Sequence, residues 1–357
     1  MAVIAPPIPT SATSEFSSAE RSLFSAKAGK VSLAIRSVGD ATEVTSVNST
    51  NRGYNTASLQ LESKFLRADF NLTEIESNHL TRHGPSPIRW AGSKRYVVAG
   101  LSDAIRESNL HYVEPFAGSA ALFFGARPNS ATLGDLNGKL INFYKRLREG
   151  AKELHAGMSG LSRDVETYNR IRKKFNEGSG NSLEAAIQFA YLNRNCFNGI
   201  WRTNQRGEFN VPFSKNSRSE YPSEEHYQKS AENLKRAKLY CSDFRKLIEQ
   251  NAKKDCILFV DPPYFSGSER IFIEYGSECF KKNDLDDLVY LLHKANRNGA
   301  RIIFTYHNDK SVADKFPGWL KGKISVTRNV GGFSGSRKGA SELLITNWQP
   351  ALRCLPC

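Results

Sequence analysis

Cys256-Ile257-Leu258-Phe259-Val260-Asp261-Pro262-Pro263-Tyr264 decides how the chain is read. Five mostly apolar residues predict a buried strand. Two prolines, which fix φ and lack a backbone donor, must stop the ladder. Asp261 then falls at the carboxyl end of that strand, the edge of an open α/β sheet where ligands bind. Pro262 and Pro263 give the acid a rigid neighbour, and Tyr264 adds a flat aromatic face. This is a cradle for a planar ring bearing an amino group. The Asp261 carboxylate and the Pro262 carbonyl can each accept one amino hydrogen while Tyr264 stacks on the ring. Accepting both hydrogens draws the nitrogen lone pair out of conjugation and makes it nucleophilic. The plain alternative is a strand-ending turn with a capping acid.

The flanking sequence predicts more elements of the same kind. His111 to Phe116 is a short strand running into Glu114-Pro115-Phe116-Ala117-Gly118-Ser119-Ala120. Small residues directly after a strand allow a tight turn into a helix and let backbone amides approach a ligand. Ala131 to Gly134 is a second strand, ending at Asp135. An acid about 20 residues past a glycine turn is positioned for ribose hydroxyls. Further strands are expected at Ala237–Cys241, Ala300–Tyr306, 324–329 and 343–348. Helices are expected at Tyr96–Glu107, Asn137–Glu149, within 151–195 and at Asp284–Asn298. Alternating strands and helices predict an α/β fold with a mostly parallel sheet covered on both faces. Tyr168 to Phe175 mixes basic and aromatic residues, which suits either a solvated helix face or a nucleic-acid contact. The Gly-rich basic stretch 331–339 reads as a loop, either riding on phosphates or simply joining a hairpin.

Of 357 residues, 39% are hydrophobic and 24% charged, which fits a soluble globular protein with one or two domains. No apolar run reaches membrane-spanning length, and Met1 to Thr10 lacks the features of a secretory signal. The six cysteines have no framework spacing, and the lone Cys354-x-x-Cys357 pair has no second pair, so reduced thiols and no metal site are expected. The net charge is +14. Residues 1–80 carry seven Lys and Arg against eight Asp and Glu, so the basic excess lies wholly in 81–357. That concentration points to a polyanionic partner, most simply nucleic acid. Residues 1–60 hold 17 Ser and Thr without sustained periodicity and read as a disordered or accessory appendage, with a short helix expected within 61–80. Order is expected from Ser86 onward.

Four separated stretches together resemble the Dam-type, alpha-class DNA adenine-N6 methyltransferases, whose catalytic tetrapeptide is DPPY. They are RWAGSK at 89–94, EPFAGSAALFF at 114–124, NRNCFNGIWRTNQRGEFNVPF at 193–213 and DPPYF at 261–265. They lie in the family's order and cover about residues 86–348. The resemblance implies a Rossmann-like, S-adenosylmethionine-dependent methyltransferase fold with a helical and loop target-recognition insert. By position, Trp90, Lys94, Phe116, Gly118, Asp135 and Asp261 would bind the cofactor, and Asp243 would lie near its adenine. Asp261, Pro262, Pro263 and Tyr264 would form the catalytic set. Phe197 and Asn198 would sit at the disrupted base step, and Arg202 would read a guanine edge. Arg206, Lys215, Arg328, Arg337 and Lys338 would contact phosphates. Ala120 departs from the pattern, since many relatives carry a third glycine there; Ser214 to Ser217 departs where an aromatic-basic tail is common.

The implied partner is double-stranded DNA, with guanine 5′ to a flipped target adenine and GATC as the candidate site. A cognate restriction endonuclease, a monomeric state and a cytoplasmic, nucleoid-associated location complete the expectation. The domain reading is an appendage at 1–80, a catalytic domain formed by 81–149 with 232–350, and the insert at 150–231. Two other readings use the same residues: an RNA adenine or N4-cytosine methyltransferase, and a catalytically silent DNA-binding protein of this fold. N4-cytosine enzymes more often carry serine at the position of Asp261.

Overall fold

All five residues of the Cys256–Val260 strand are buried, and they alternate between two hydrophobic clusters. Ile257 and Phe259 enter one; Cys256, Leu258 and Val260 enter the other. The two-residue period of a strand thus meets a core on each face, the condition under which a strand reads as a continuous apolar run. Structure is described here, from a computed structural model, for 86–178, 180–215, 220–264, 280–327 and 339–348, and for the strand backbone within 32–70.

The strands are β1 (Ser32–Val38), β2 (Ala41–Asn48), β3 (Asn55–Leu61), β4 (Asp69–Phe70), β5 (His111–Glu114), β6 (Ala131–Asp135), β7 (Ala237–Cys241), β8 (Cys256–Val260), β9 (Arg301–His307), β10 (Leu320–Thr327) and β11 (Gly339–Thr346). The helices are α1 (Arg95–Ser108), α2 (Ala121–Ala126), α3 (Gly138–Glu149), α4 (Ala151–Ser159), α5 (Val165–Glu177), α6 (Leu183–Asn195), α7 (Glu224–Leu234), α8 (Phe244–Asn251), α9 (Lys282–Arg297) and α10 (Lys310–Ala313).

The chain divides into a unit at Met1–Ser63 and a larger unit beginning at Lys64. In the first, β1, β2 and β3 form an antiparallel meander, which the aperiodic composition did not foretell. In the second, eight strands form one sheet in the order β4-β10-β11-β9-β8-β5-β6-β7. The run β9-β8-β5-β6-β7 is parallel. β11 is antiparallel to both neighbours, and β4 adds a two-residue parallel edge to β10. This is the expected Rossmann-like, mostly parallel α/β sheet. β4 stands within 61–80, where a short helix was expected.

The order also locates the site. From β5 the chain moves outward through β6 to β7, then returns to the other side of β5 as β8. The strand order reverses between β5 and β8, so the loops after these two strands splay apart and leave a crevice at their carboxyl ends. Those loops are 115–120 and 261–264. α1, α2 and α3 pack with β5 and β6 in one cluster, while α8 and α9 cover the opposite face. Between α3 and β7, α4 to α7 form the helical part of the predicted insert.

Candidate active site

Asp261 leaves β8 between a neighbouring strand and a loop that each lend it a donor. Thr305 Oγ1 of β9 donates to Asp261 Oδ1 at 2.8 Å, and the Lys94 ammonium lies 2.8 Å from the same oxygen. Lys94 comes from the 89–94 loop, and its side chain is only 4% exposed, against 18% for Asp261. It also donates to the Gly92 carbonyl and to the Tyr264 hydroxyl, both at 3.1 Å. The Tyr264 ring stands edge-on to Tyr306, with centroids 5.2 Å apart, and 5.4 Å from His307. The 261–264 tetrapeptide and the 89–94 loop, joined by residues 170 positions apart in sequence, are therefore one cluster. Burial pushes the Asp261 carboxyl above the ordinary carboxylate range, while Lys94 and Thr305 pull the other way.

The glycine turn beside it is held by Asp135. Its Oδ2 accepts the Gly118 amide and its Oδ1 the Asn137 amide, each at 2.9 Å. The Tyr144 hydroxyl donates to the Gly118 carbonyl at 2.6 Å. Gly118 has φ +44, and a Cβ there would sit 2.9 Å from Trp90 Nε1, so only glycine fits the turn against the indole. Ala120, in the place of a third glycine, also adopts a left-handed conformation with φ 47 and is buried. Ser93 and Ser119 hydroxyls meet at 2.9 Å and tie the first loop to the turn. Asp135, expected to bind ribose, thus clasps the turn as well; each carboxylate oxygen keeps a second lone pair for a ligand.

The wall of this crevice is acidic and aromatic. Glu114, at the end of β5, is buried, and Tyr112 donates to its Oε2 at 2.9 Å. Burial pushes the Glu114 carboxyl well above the ordinary range; the Tyr112 bond opposes this, and Asp261 and Asp135 reinforce it. Phe116 stacks on Phe244 with centroids 5.1 Å apart. Trp90 stacks on Trp201 at 6.0 Å. Asp243 caps α8 by accepting the Arg245 amide and pairs with its guanidinium. The crevice thus combines a tight glycine turn, flat aromatic faces and the acids Glu114, Asp135 and Asp261. The arrangement brings together Trp90, Lys94, Gly118, Asp135, Asp261 and Tyr264, with Phe116 anchored on the neighbouring cluster.

The 193–213 stretch of the predicted insert splits into two parts with different roles. Asn193, Arg194 and Asn195 are buried at the end of α6 and are structural. Asn193 exchanges two hydrogen bonds with the Arg89 backbone, at 2.9 and 2.6 Å, and Arg194 donates to the Pro87 carbonyl at 2.7 Å. Asn193 and Arg194 thus hold the chain that enters the 89–94 loop. The remainder is a narrow excursion bridged at Cys196–Phe213 and Thr203–Phe209. Its base is held by α5: Tyr168 donates to the Val211 carbonyl, and Asn176 exchanges bonds with Phe209. Tyr168, Ile171 and Phe175 are buried on this helix while Arg170, Lys173 and Lys174 face solvent. Phe197 is 45% exposed, unusual for its size, and Asn198 beside it has φ 53. The Arg202 Nε donates to Asn210 Oδ1 at 2.9 Å, which fixes the plane of the guanidinium. Arg206, at the tip, and Lys215, just beyond the excursion, are exposed. Arg328, Arg337 and Lys338 lie outside the described residues.

Thr305, Asn210 and Glu342 escaped the sequence reading. Glu342 lies on β11, is buried, and places Oε2 3.5 Å from the Lys94 ammonium. A lone acid in the apolar run Glu342-Leu343-Leu344-Ile345 was a readable signal, because a buried charge needs a partner. Thr305 and Asn210 carry no such signal.

The chain is similar to known DNA adenine methyltransferases. A family model described as D12 class N6 adenine-specific DNA methyltransferase matches residues 90–327. A DNA N-6-adenine-methyltransferase of Escherichia phage P1 is 36% identical over 237 residues, 65% of this chain but only 31% of the phage protein. Type II methyltransferase M1.LlaDCHI of Lactococcus lactis subsp. cremoris is 28% identical over 268 residues, 73% of this chain and 94% of that protein. A DNA adenine methylase of Vibrio cholerae is 28% identical over 263 residues, covering 72% of this chain and 94% of its own.

Proposed function

The chain belongs to the D12 class N6 adenine-specific DNA methyltransferase family, and from that premise we propose a site-specific enzyme that takes its methyl group from S-adenosylmethionine and delivers it to the N6 of an adenine flipped out of duplex DNA. The observation that carries this reading is the placement of Asp261 and Tyr264 beside the Gly118 turn, at the point where the strand order reverses. When bound, S-adenosylmethionine supplies an electrophilic methyl group. Trp90, Phe116, Gly118 and Asp135 are the residues that would hold it, and the carboxylates of Asp135 and Asp261 would answer its positive charge.

The protein's own residues then have defined tasks. A paired and stacked adenine hides its amino group, so the base must leave the helix. The Tyr264 ring receives its face. The Asp261 carboxylate and the Pro262 carbonyl each accept one amino hydrogen, which localises the nitrogen lone pair. Thr305 donates to Oδ1 of Asp261, where the Lys94 ammonium also sits, so the amine approaches a carboxylate whose charge is already shared. As N6 gains its new bond, Asp261 takes the proton that leaves; no prior ionisation of the amine is needed. Alignment of nitrogen and methyl is the larger part of the task, and it falls to the rigid prolines and the clasped glycine turn.

The 196–213 excursion is the recognition element. Arg202, oriented by Asn210, is suited to guanine O6 and N7 on the 5′ side of the adenine, with GATC the candidate site. Phe197 and Asn198 enter the gap left by the flipped base, and Arg206 and Lys215 grip phosphates. Action on chromosomal DNA, as a monomer and in company with a cognate restriction endonuclease, is the biological setting we propose. Transfer of radiolabelled methyl groups to duplex DNA, compared with RNA of the same sequence, tests the whole. Labelling should require Asp261: more than about a tenth of wild-type turnover in Asp261→Ala would sink the assignment.

A further inference from the structure

Lys94 is shared by two buried carboxylates that come from different strands. Its ammonium lies 2.8 Å from Asp261 Oδ1 at the end of β8 and 3.5 Å from Glu342 Oε2 on β11. The side chains of Lys94 and Glu342 are 4% and 6% exposed, so both charged groups are buried. Glu342 pairs across the ladder with His307, whose ring lies beside Tyr264 and whose Nε2 is 3.4 Å from Asp309. Glu342 therefore belongs to the shell around the tetrapeptide although it is 81 positions away from Asp261 in sequence.

During transfer the charge on Asp261 changes. The bond that forms is N6–CH3, and the sulfonium–CH3 bond breaks with its electron pair left on sulfur. The N6–H bond then breaks, and its proton goes to Asp261. At that moment Lys94, still protonated, stands beside a neutral acid in a buried place, an arrangement that is costly unless a second anion is within reach. Before it, an ammonium seated on Asp261 competes with the target amine for the same carboxylate.

We propose that Glu342 is a positioning residue for methyl transfer: it draws the Lys94 ammonium away from Asp261 as the target amine engages, and holds it once Asp261 is protonated. Through the step Lys94 changes its partner from Asp261 to Glu342. This rests on the reading of Asp261 as the acceptor of the target amine. A purely structural Glu342 would anchor the first cofactor loop through Lys94, and its loss would appear in cofactor binding.

Glu342→Gln separates the two. Its single-turnover methyl-transfer rate constant should fall by about tenfold or more, while its Kd for S-adenosylhomocysteine moves by less than about threefold. Binding gives a readout independent of turnover. With S-adenosylhomocysteine present, duplexes carrying adenine or unsubstituted purine at the target are compared, and the ratio of their Kd values in wild type and variant cancels the weaker pairing of purine. The variant should lose the wild-type preference for adenine, because Lys94 stays on Asp261. In a Lys94→Met background Glu342→Gln should change the rate by less than about twofold, since Glu342 acts only through Lys94. That comparison also carries the test if Glu342→Gln alone fails to fold. A loss confined to cofactor Kd, an unchanged rate, or additive effects with Lys94→Met would overturn the proposal. Asp261→Ala is the control: retained turnover there sinks the parent reading, whereas lost adenine preference there with preference kept in Glu342→Gln sinks only the role of Glu342.

Discussion

Gly118 and Trp90 are packed so closely that the turn after β5 and the 89–94 loop have one solution: a Cβ at 118 would meet the indole at 2.9 Å. With φ +44 as well, Gly118→Ala must either bend the turn or displace Trp90. Cofactor affinity should fall by about tenfold or more, with a loss of thermal stability equivalent to about 1–3 kcal/mol from overpacking. Titration of S-adenosylhomocysteine into both proteins, with a melting curve for each, checks this; equal affinity would mean that the turn does not line the pocket.

Ala120 gives the contrasting case. It is left-handed with φ 47, a conformation that costs a residue bearing Cβ about 1–2 kcal/mol. Ala120→Gly removes that strain, but glycine's extra unfolded-state freedom costs about 0.5–1 kcal/mol and the lost buried methyl about 0.8 kcal/mol. The terms nearly cancel, so the melting temperature should move by less than about 4 °C. Ala120→Val adds branching at a position that forbids it and should lower the midpoint clearly more.

Glu114 makes stability pH-dependent in a known direction. Its folded carboxyl is held well above its ordinary value of 4.5, chiefly by burial. The unfolded chain therefore releases the proton first, and the contribution of the protonated, buried acid is lost as pH rises from 4.5 toward the raised folded value. Glu114→Gln keeps an acceptor for Tyr112 and has no proton to lose. The variant's melting temperature relative to wild type should climb as pH rises above 4.5; a difference that is flat with pH would show that Glu114 is ionised and paired in the folded protein.

Arg202 and Arg206 occupy the same excursion and should behave differently. Arg202→Ala should relax sequence choice, removing about 1–3 kcal/mol of discrimination at the base 5′ to the target adenine while sparing cofactor binding. Asn210→Ala, which only frees the guanidinium plane, should give a smaller change of the same kind. Arg206→Ala should weaken all duplexes about equally and flatten the salt dependence of binding. Methylation rates on a duplex panel at two salt concentrations separate the cases; a uniform slowing in Arg202→Ala would make it a backbone anchor.

The N-terminal unit should be dispensable for transfer. A chain beginning at Lys64 keeps the whole eight-stranded sheet, including β4. One beginning at residue 81 loses β4 and leaves β10 as a bare edge. Both should methylate DNA, with the shorter chain melting about 2–4 °C lower. Inactivity of the Lys64 chain would make the first unit part of the DNA grip.

Local chemistry was enough to place much of this protein. The apolar run 256–260 ended by Asp261-Pro262-Pro263 predicts a buried strand and its stop, because periodicity and proline act within a few residues. The same holds for the Gly118 turn and for Asp135 at the end of β6. What came next depended on strands far apart in sequence. The order β9-β8-β5 sets Thr305 beside Asp261, and the antiparallel return of β11 sets Glu342 against Lys94. Likewise Asn193 and Arg194, which look like recognition residues in a polar stretch, are buried supports for the chain at Pro87 and Arg89. The sequence by itself determined which residues end strands and turn corners, since those are local constraints on φ and hydrogen bonding. Only the tertiary structure decided which buried charges share a partner, since that is set by which distant strands become neighbours in the sheet.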